Sequence, residues 1–318
     1  MRKIWGSLTC MVTVLIVWPS LTIAATTTEP TTTTAPDYDA LEQAAIKGDS
    51  EALVQLQAGA NSGNAEAQYD LGDYYYSLHQ YVDSFNWTQK AAAQGNAKAE
   101  NDLGMDYGDY GEGQGTQWDI TQAFKRYQKA AEQGDAHAED WLGSFYYNVL
   151  GMNHDFVKAF YWYQKAATQN YPDAEDWLGS LYYYGEGVKQ DYTQAFNWYQ
   201  KAATQNDPDA EDWLGNLYQN GQGTKQDYTQ AINWYQKAAT QNYPGAEDWL
   251  GNLFYNGQGV KQDYTEAFNC FQKAAVQGDA AACMWLSSMY SQGLGVAADQ
   301  QKAQYWADQA KQLQSNGN

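Results

Sequence analysis

Between residues 64 and 314 the chain alternates two kinds of apolar stripe, each about one helix long. In residues 171–206, Ala174, Leu178, Leu181 and Tyr182 recur three or four apart, the spacing of one helical face. Pro172 stands where a helix can begin without a free N–H. Gly185 and Gly187 end this run and permit positive φ in the connection. Asp191 then sits where it can cap a second helix, with Gln194 as capping-box partner. That helix carries Ala195, Trp198, Tyr199 and Ala202 on one face. Asn170 and Asn206 close their units where other copies place Gly95, Gly134 and Gly278. Asn and Gly share tolerance of the left-handed conformation. The pattern predicts helix hairpins and no strand.

The hairpin recurs. Leu-Gly stands at Leu71, Leu103, Leu142, Leu178, Leu214 and Leu250, with a degraded copy at Leu286-Ser287; the steps are 32, 39, 36, 36, 36 and 36. Lys-Ala-Ala keeps phase at Lys90, Lys129, Lys165, Lys201, Lys237 and Lys273. Units 171–206 and 207–242 are identical at 29 of 36 positions, which points to recent duplication. Small residues at Ala174, Gly179, Ala195, Ala202 and Ala203 allow close helix approach. A lone hairpin cannot bury its apolar face, so neighbours must stack. The expected units are 64–95, 96–134, 135–170, 171–206, 207–242, 243–278 and 279–314. Residues 37–63 read as a degenerate capping hairpin, and 315–318 as a frayed tail.

The string Ala174, Leu178-Gly179, Tyr182, Gly185, Gly187-Val188, Asp191, Ala195, Trp198-Tyr199, Lys201-Ala202-Ala203 resembles the Sel1-like repeat, a relative of the tetratricopeptide repeat. The resemblance implies an all-α, right-handed α-solenoid of stacked helix hairpins that scaffolds protein contacts and is not an enzyme. It further implies, from exported bacterial members, roles in envelope assembly or host-cell interaction.

Charge narrows the partners. Lys and Arg number 18 against 38 Asp and Glu, a formal charge of -20. So acidic a chain repels phosphate backbones and anionic membranes, and is expected to bind neither nucleic acid nor a bilayer. The N-terminus adds location. Arg2 and Lys3, the apolar run Leu8 to Trp18, and small residues ending at Ala24 describe a cleavable signal peptide over 1–24. A secreted or periplasmic chain without membrane insertion is expected. The Thr- and Pro-rich stretch 25–36 reads as a tether. After cleavage two cysteines remain, Cys270 and Cys283. They could pair as a disulfide in an oxidising compartment or stay as two buried thiols.

The most distinctive feature is Glu-Asp-Trp ahead of Leu-Gly: Glu139-Asp140-Trp141, Glu175-Asp176-Trp177, Glu211-Asp212-Trp213 and Glu247-Asp248-Trp249, with Trp285 continuing the column. On a helical wheel Asp176, Ser180 and Tyr183 face away from the core, and Trp177 lies on its flank. Two readings stay open. The tryptophans pack between repeats while the acids serve the helix dipole. Or Trp and acids together line the concave face and take a protein or peptide of basic character.

The remaining chemistry is thin. His79, His137 and His154 share no register, and no metal set or cofactor is expected from them. Gly111, Gly113 and Gly115 lack the strand and Lys-Ser/Thr ending of a phosphate loop. Asp102, Asp106, Asp109, Glu112 and Asp119 fit no calcium-loop spacing. No nucleophile motif is present. A β-lactam-binding or hydrolysing envelope role, which the resemblance implies for a cysteine-rich branch, is one alternative, although this chain departs from that branch's pattern of two cysteines per repeat. A glycan-binding module, with sugars stacked on the aromatic column, is the other alternative.

Overall fold

The computed structural model of the chain describes residues 36–108, 118–148 and 154–316. The expected signal segment, the tether up to residue 35 and the glycine run at 111–115 lie outside the described residues. Among the described residues there are sixteen helices and no strand. Helices α1 (Tyr38–Ile46) and α2 (Ser50–Asn61) come first. Seven hairpins follow: α3 (Ala65–Ser77) with α4 (Tyr81–Ala93), α5 (Ala97–Gly108) with α6 (Ile120–Glu132), α7 (Ala136–Asn148) with α8 (Phe156–Thr168), α9 (Pro172–Tyr184) with α10 (Tyr192–Thr204), α11 (Pro208–Asn220) with α12 (Tyr228–Thr240), α13 (Pro244–Asn256) with α14 (Tyr264–Val276), and α15 (Ala280–Gln292) with α16 (Gln300–Asn316). The architecture is an all-α solenoid.

Local chemistry sets the helix ends. The Asp191 carboxylate accepts the backbone N–H groups of Thr193 and Gln194 at 2.9 and 3.1 Å. Asp119, Asp227 and Asp263 cap their helices in the same way. Between hairpins the chain turns through the left-handed region at Asn170, Asn206 and Asn242, with φ of 60°, 66° and 61°. Short polar side chains tolerate that conformation, which explains why Asn alternates with Gly there.

The buried clusters run across the boundaries between repeats. Ala195, Tyr199, Ala202 and Ala203 of α10 pack with Ala210, Leu214 and Leu217 of α11, across the unit boundary. The same arrangement joins α8 to α9 and α12 to α13. Within a hairpin the key approach is glycine to ring. A Cβ on Gly179 would stand 2.6 Å from the Tyr199 ring carbons, so the aromatic can lie flat on α9 only because that position is bare. Successive first helices also touch one another, α5 with α7, α7 with α9 and α9 with α11, whereas the second helices make no comparable contact. Crowding on one side of a stack is what curvature toward that side produces, so the first helices line the inner, concave wall.

Cys270 and Cys283 are both free thiols and buried, so the disulfide alternative is not realised. Cys270 belongs to the core between α12 and α13, while Cys283 belongs to the one built on α14, α15 and α16. Burial pushes the Cys270 thiol up to about 12.

Candidate functional site

The Glu-Asp-Trp triplets divide three ways in space. The glutamates turn inward. Glu139, Glu175, Glu211 and Glu247 are all buried, Glu211 completely. Lys165 pairs with Glu139 at 2.6 Å, Lys237 with Glu211 at 2.7 Å and Lys273 with Glu247 at 3.2 Å. Gln169, Gln205 and Gln241 donate to the second carboxylate oxygen of Glu139, Glu175 and Glu211, each at 2.9 Å. This corrects the expectation that the glutamates line the groove. A wheel drawn for one helix cannot show that the partner helix of the same hairpin folds a lysine and a glutamine over them. They hold the hairpin together and are closed to a ligand.

The tryptophans do both things that the sequence left open. Trp177 stacks on Tyr163 of the preceding repeat, centroids 5.6 Å apart and planes 9° from parallel. Trp213 on Tyr199 and Trp141 on Tyr127 repeat that geometry, at 5.6 and 5.5 Å. Trp249 on Tyr235 is looser at 6.2 Å. Tyr147 and Tyr183 close on Trp177 and Trp213 from the previous first helix, both at 4.9 Å. Yet none of the four indoles is buried, and Trp141 keeps 41 % of its surface exposed. Each is locked on one face and open along the concave wall.

The aspartates hold the unexpected chemistry. The wheel turned Asp176 away from the core of its own helix, but the next first helix covers it. Asp140, Asp176, Asp212 and Asp248 each carry a buried Oδ1 with no hydrogen-bond partner. Burial pushes the Asp140, Asp212 and Asp248 carboxyls up to about 7. It pushes Asp176 well above the usual carboxylate range, with Asp207, Asp209, Asp173 and Asp140 adding to the effect. A buried polar atom left unpaired in the same register of four successive repeats is costly, and ordinary packing does not call for it.

Between α9 and α11 the wall opens into a cavity of about 330 Å³. Trp177 and Trp213 form its sides, and Asp173, Asp176, Ser180, Asp207 and Asp209 complete it. Three of these acids escaped the sequence reading, because Asp173, Asp207 and Asp209 sit in the turn and first helical residues, where acids are common caps. The legible signal was the residue opening each unit: Tyr171, Asp207, Tyr243.

Other expected features resolve individually. His137 bridges repeats, its Nδ1 2.8 Å from Asn101 Oδ1 and its Nε2 accepting from the Trp141 indole at 3.1 Å. His79 contacts the Tyr81 hydroxyl and His154 the Tyr147 carbonyl. No group of three or more His, Cys, Asp or Glu among the described residues could hold a metal ion. Of the acids around the second repeat's insertion, Asp119 caps α6, Asp102 and Asp106 help line a cavity of about 300 Å³ with Tyr69 and Asp73, and Asp109 and Glu112 lie outside the described residues. No helix among the described residues is long and apolar enough to cross a membrane.

Comparison with known proteins identifies the repeat. The Sel1 repeat family matches seven times, at residues 65–96, 97–135, 136–171, 172–207, 208–243, 244–279 and 280–315. A Sel1 repeat protein from Oxalobacter formigenes is 36 % identical, with a TM-score of 0.68; the match covers 77 % of this chain and 99 % of that one. A protective antigen of uropathogenic Escherichia coli strains, displaying an SLR fold, is 33 % identical with a TM-score of 0.72. That match covers 82 % of this chain but 56 % of the antigen, so the chain spans little more than half of its length. No curated protein sequence matches. With its repeats, its neighbours and its helix-hairpin solenoid in agreement, this chain belongs to the Sel1 repeat family.

Proposed function

We propose that the chain is an exported, non-enzymatic adaptor whose concave wall binds a polypeptide of basic character. Sel1 repeats are a scaffold fold, and proteins built from them generally mediate protein–protein contacts. The observation that carries the finer reading is the column of orphaned carboxylate oxygens at Asp140, Asp176, Asp212 and Asp248, beside half-open indoles at Trp141, Trp177, Trp213 and Trp249. A cationic side chain meets both needs. It offsets the charge of the desolvated carboxylates from the open side of the wall and stacks on the aromatic face. The repetition suits an extended or helical partner that presents charge at regular intervals. Export rests on the N-terminal sequence, and the N-terminal residue of the secreted form, expected at Ala25, checks it.

The test is direct titration. A fluorescent polyarginine peptide is expected to bind the wild-type chain with an affinity that falls as salt rises. Replacing the four aspartates together by Asn, which keeps shape and removes charge, is expected to abolish the salt-sensitive part. Equal binding by the substituted chain, or no binding by the wild type, would remove the basic-partner reading.

A further inference from the structure

The cavity between α9 and α11 differs from its neighbours along the wall. At the preceding and following junctions the residue opening the unit is Tyr171 or Tyr243. The Tyr171 ring packs near His137, centroids 6.1 Å apart, and the Tyr243 hydroxyl bonds Asp209, so each occupies the wall of its own junction. At the central junction the same position is Asp207, which caps α11 through the Ala210 N–H at 2.9 Å. An aromatic ring is thereby exchanged for a carboxylate, and the space stays open. Of the junctions formed by these four copies, this is also the one with Asp at the third position of both units, Asp173 and Asp209; the next two copies have Gly245 and Ala281.

The cavity therefore combines two indole walls with four aspartates, of which Asp176 has a desolvated, unpartnered Oδ1. No basic side chain is among the groups that bear on the Asp176 or Asp207 carboxyls; the charged groups that do are further aspartates. These acids do not gather closely enough to ligate one metal ion. A flat, weakly hydrated cation is the better match. A guanidinium can stack on an indole and donate from its edge to several carboxylates at once, which a compact ammonium cannot do equally well. The volume is small for a drug-sized ligand and ample for one long side chain.

We infer that this junction is a seat for a single arginine side chain of the bound polypeptide, fixing the partner's register along the wall. The inference rests on the concave wall being the binding face, and the experiment separates the two. The probes are the blocked tripeptide Gly-Arg-Gly, its citrulline counterpart, and agmatine as a free guanidinium. Titration calorimetry of the full chain is expected to show one site for the arginine peptide and about tenfold weaker or no binding of the citrulline peptide. Agmatine binding as tightly as the peptide would overturn the side-chain assignment in favour of a free guanidinium compound.

Two variants locate the site. Asp207→Tyr installs the residue found at positions 171 and 243, so the fold is expected to persist, as circular dichroism would verify, while the cavity fills and peptide binding drops at least about tenfold. Asp176→Asn keeps the shape and removes the orphaned charge, and is expected to weaken binding in the same direction. Undiminished tripeptide binding in both variants would overturn the seat. If the polyarginine peptide still bound the concave wall while the tripeptide never bound, the seat would fall and the broader binding face would stand.

Discussion

The indole of Trp213 lies on the phenol of Tyr199 with planes 7° from parallel, although the two residues belong to adjacent repeats. Tyr199 is fully buried and Trp213 is not. The pair closes one end of the interface that forms the core between repeats. Trp213→Ala is therefore expected to destabilise the chain by about 2 kcal/mol, below the roughly 3–5 kcal/mol typical of a fully buried aromatic. Urea unfolding measures this. A loss near zero would mean that the stack adds no cohesion.

Gly179 gives a prediction whose sign is diagnostic. On an exposed helix, Gly→Ala gains roughly 1 kcal/mol. Here the new methyl would meet the Tyr199 ring at 2.6 Å. Gly179→Ala is expected to cost about 1–3 kcal/mol, as overpacking does. A Gly179→Ala, Tyr199→Leu double variant is expected to recover part of that loss, measured by the same denaturation.

Acidity should stabilise this acidic protein. The carboxyls of Asp140, Asp212 and Asp248 are raised to about 7 in the folded chain. In the unfolded chain they titrate near the ordinary value of roughly 4. Between these limits the folded state binds more protons, so stability falls as pH rises, and the full penalty is present above pH 7. A higher melting temperature at pH 5 than at pH 8 is expected, with Asp212→Asn raising the pH 8 value. Equal melting at both pH values would count against desolvated aspartates.

Removing residues 171–206 is expected to leave a folded, shorter array. Asn170 then meets Asp207, a join already present as Asn206-Asp207, and α8 meets α11 in place of α9. Circular dichroism and urea melting of the shortened chain check this; loss of cooperative unfolding is the contrary result.

Hairpins, caps and left-handed joints were legible because each depends on neighbours within one turn. Asp191 caps α10 and Asn170 takes positive φ for local reasons. The site was legible only in part. Glu211 and Asp212 are adjacent and both acidic, yet Glu211 meets Lys237 of its own hairpin while Asp212 keeps a buried oxygen without a hydrogen-bond partner. What separates them is the position of helices 26 and more residues away, which no periodicity encodes. Likewise Asp207 reads as an ordinary cap until the tyrosines at 171 and 243 are seen filling the equivalent space.

The aromatic pair between repeats carries no address. Tyr163 with Trp177 and Tyr199 with Trp213 are the same joint, so the second helix of one repeat would accept the first helix of several others. During folding such a chain can skip a unit and still find a well-made joint. Its outer repeats are protected from that error. The first places Thr88 where the next four have the stacking tyrosine and the sixth has Phe271, with Asp102 at the tryptophan position, and the last offers Cys283 and Met284 for Glu and Asp. Uniform joints let the middle of the array lengthen by duplication, while the odd joints near either end keep count of where it starts and stops.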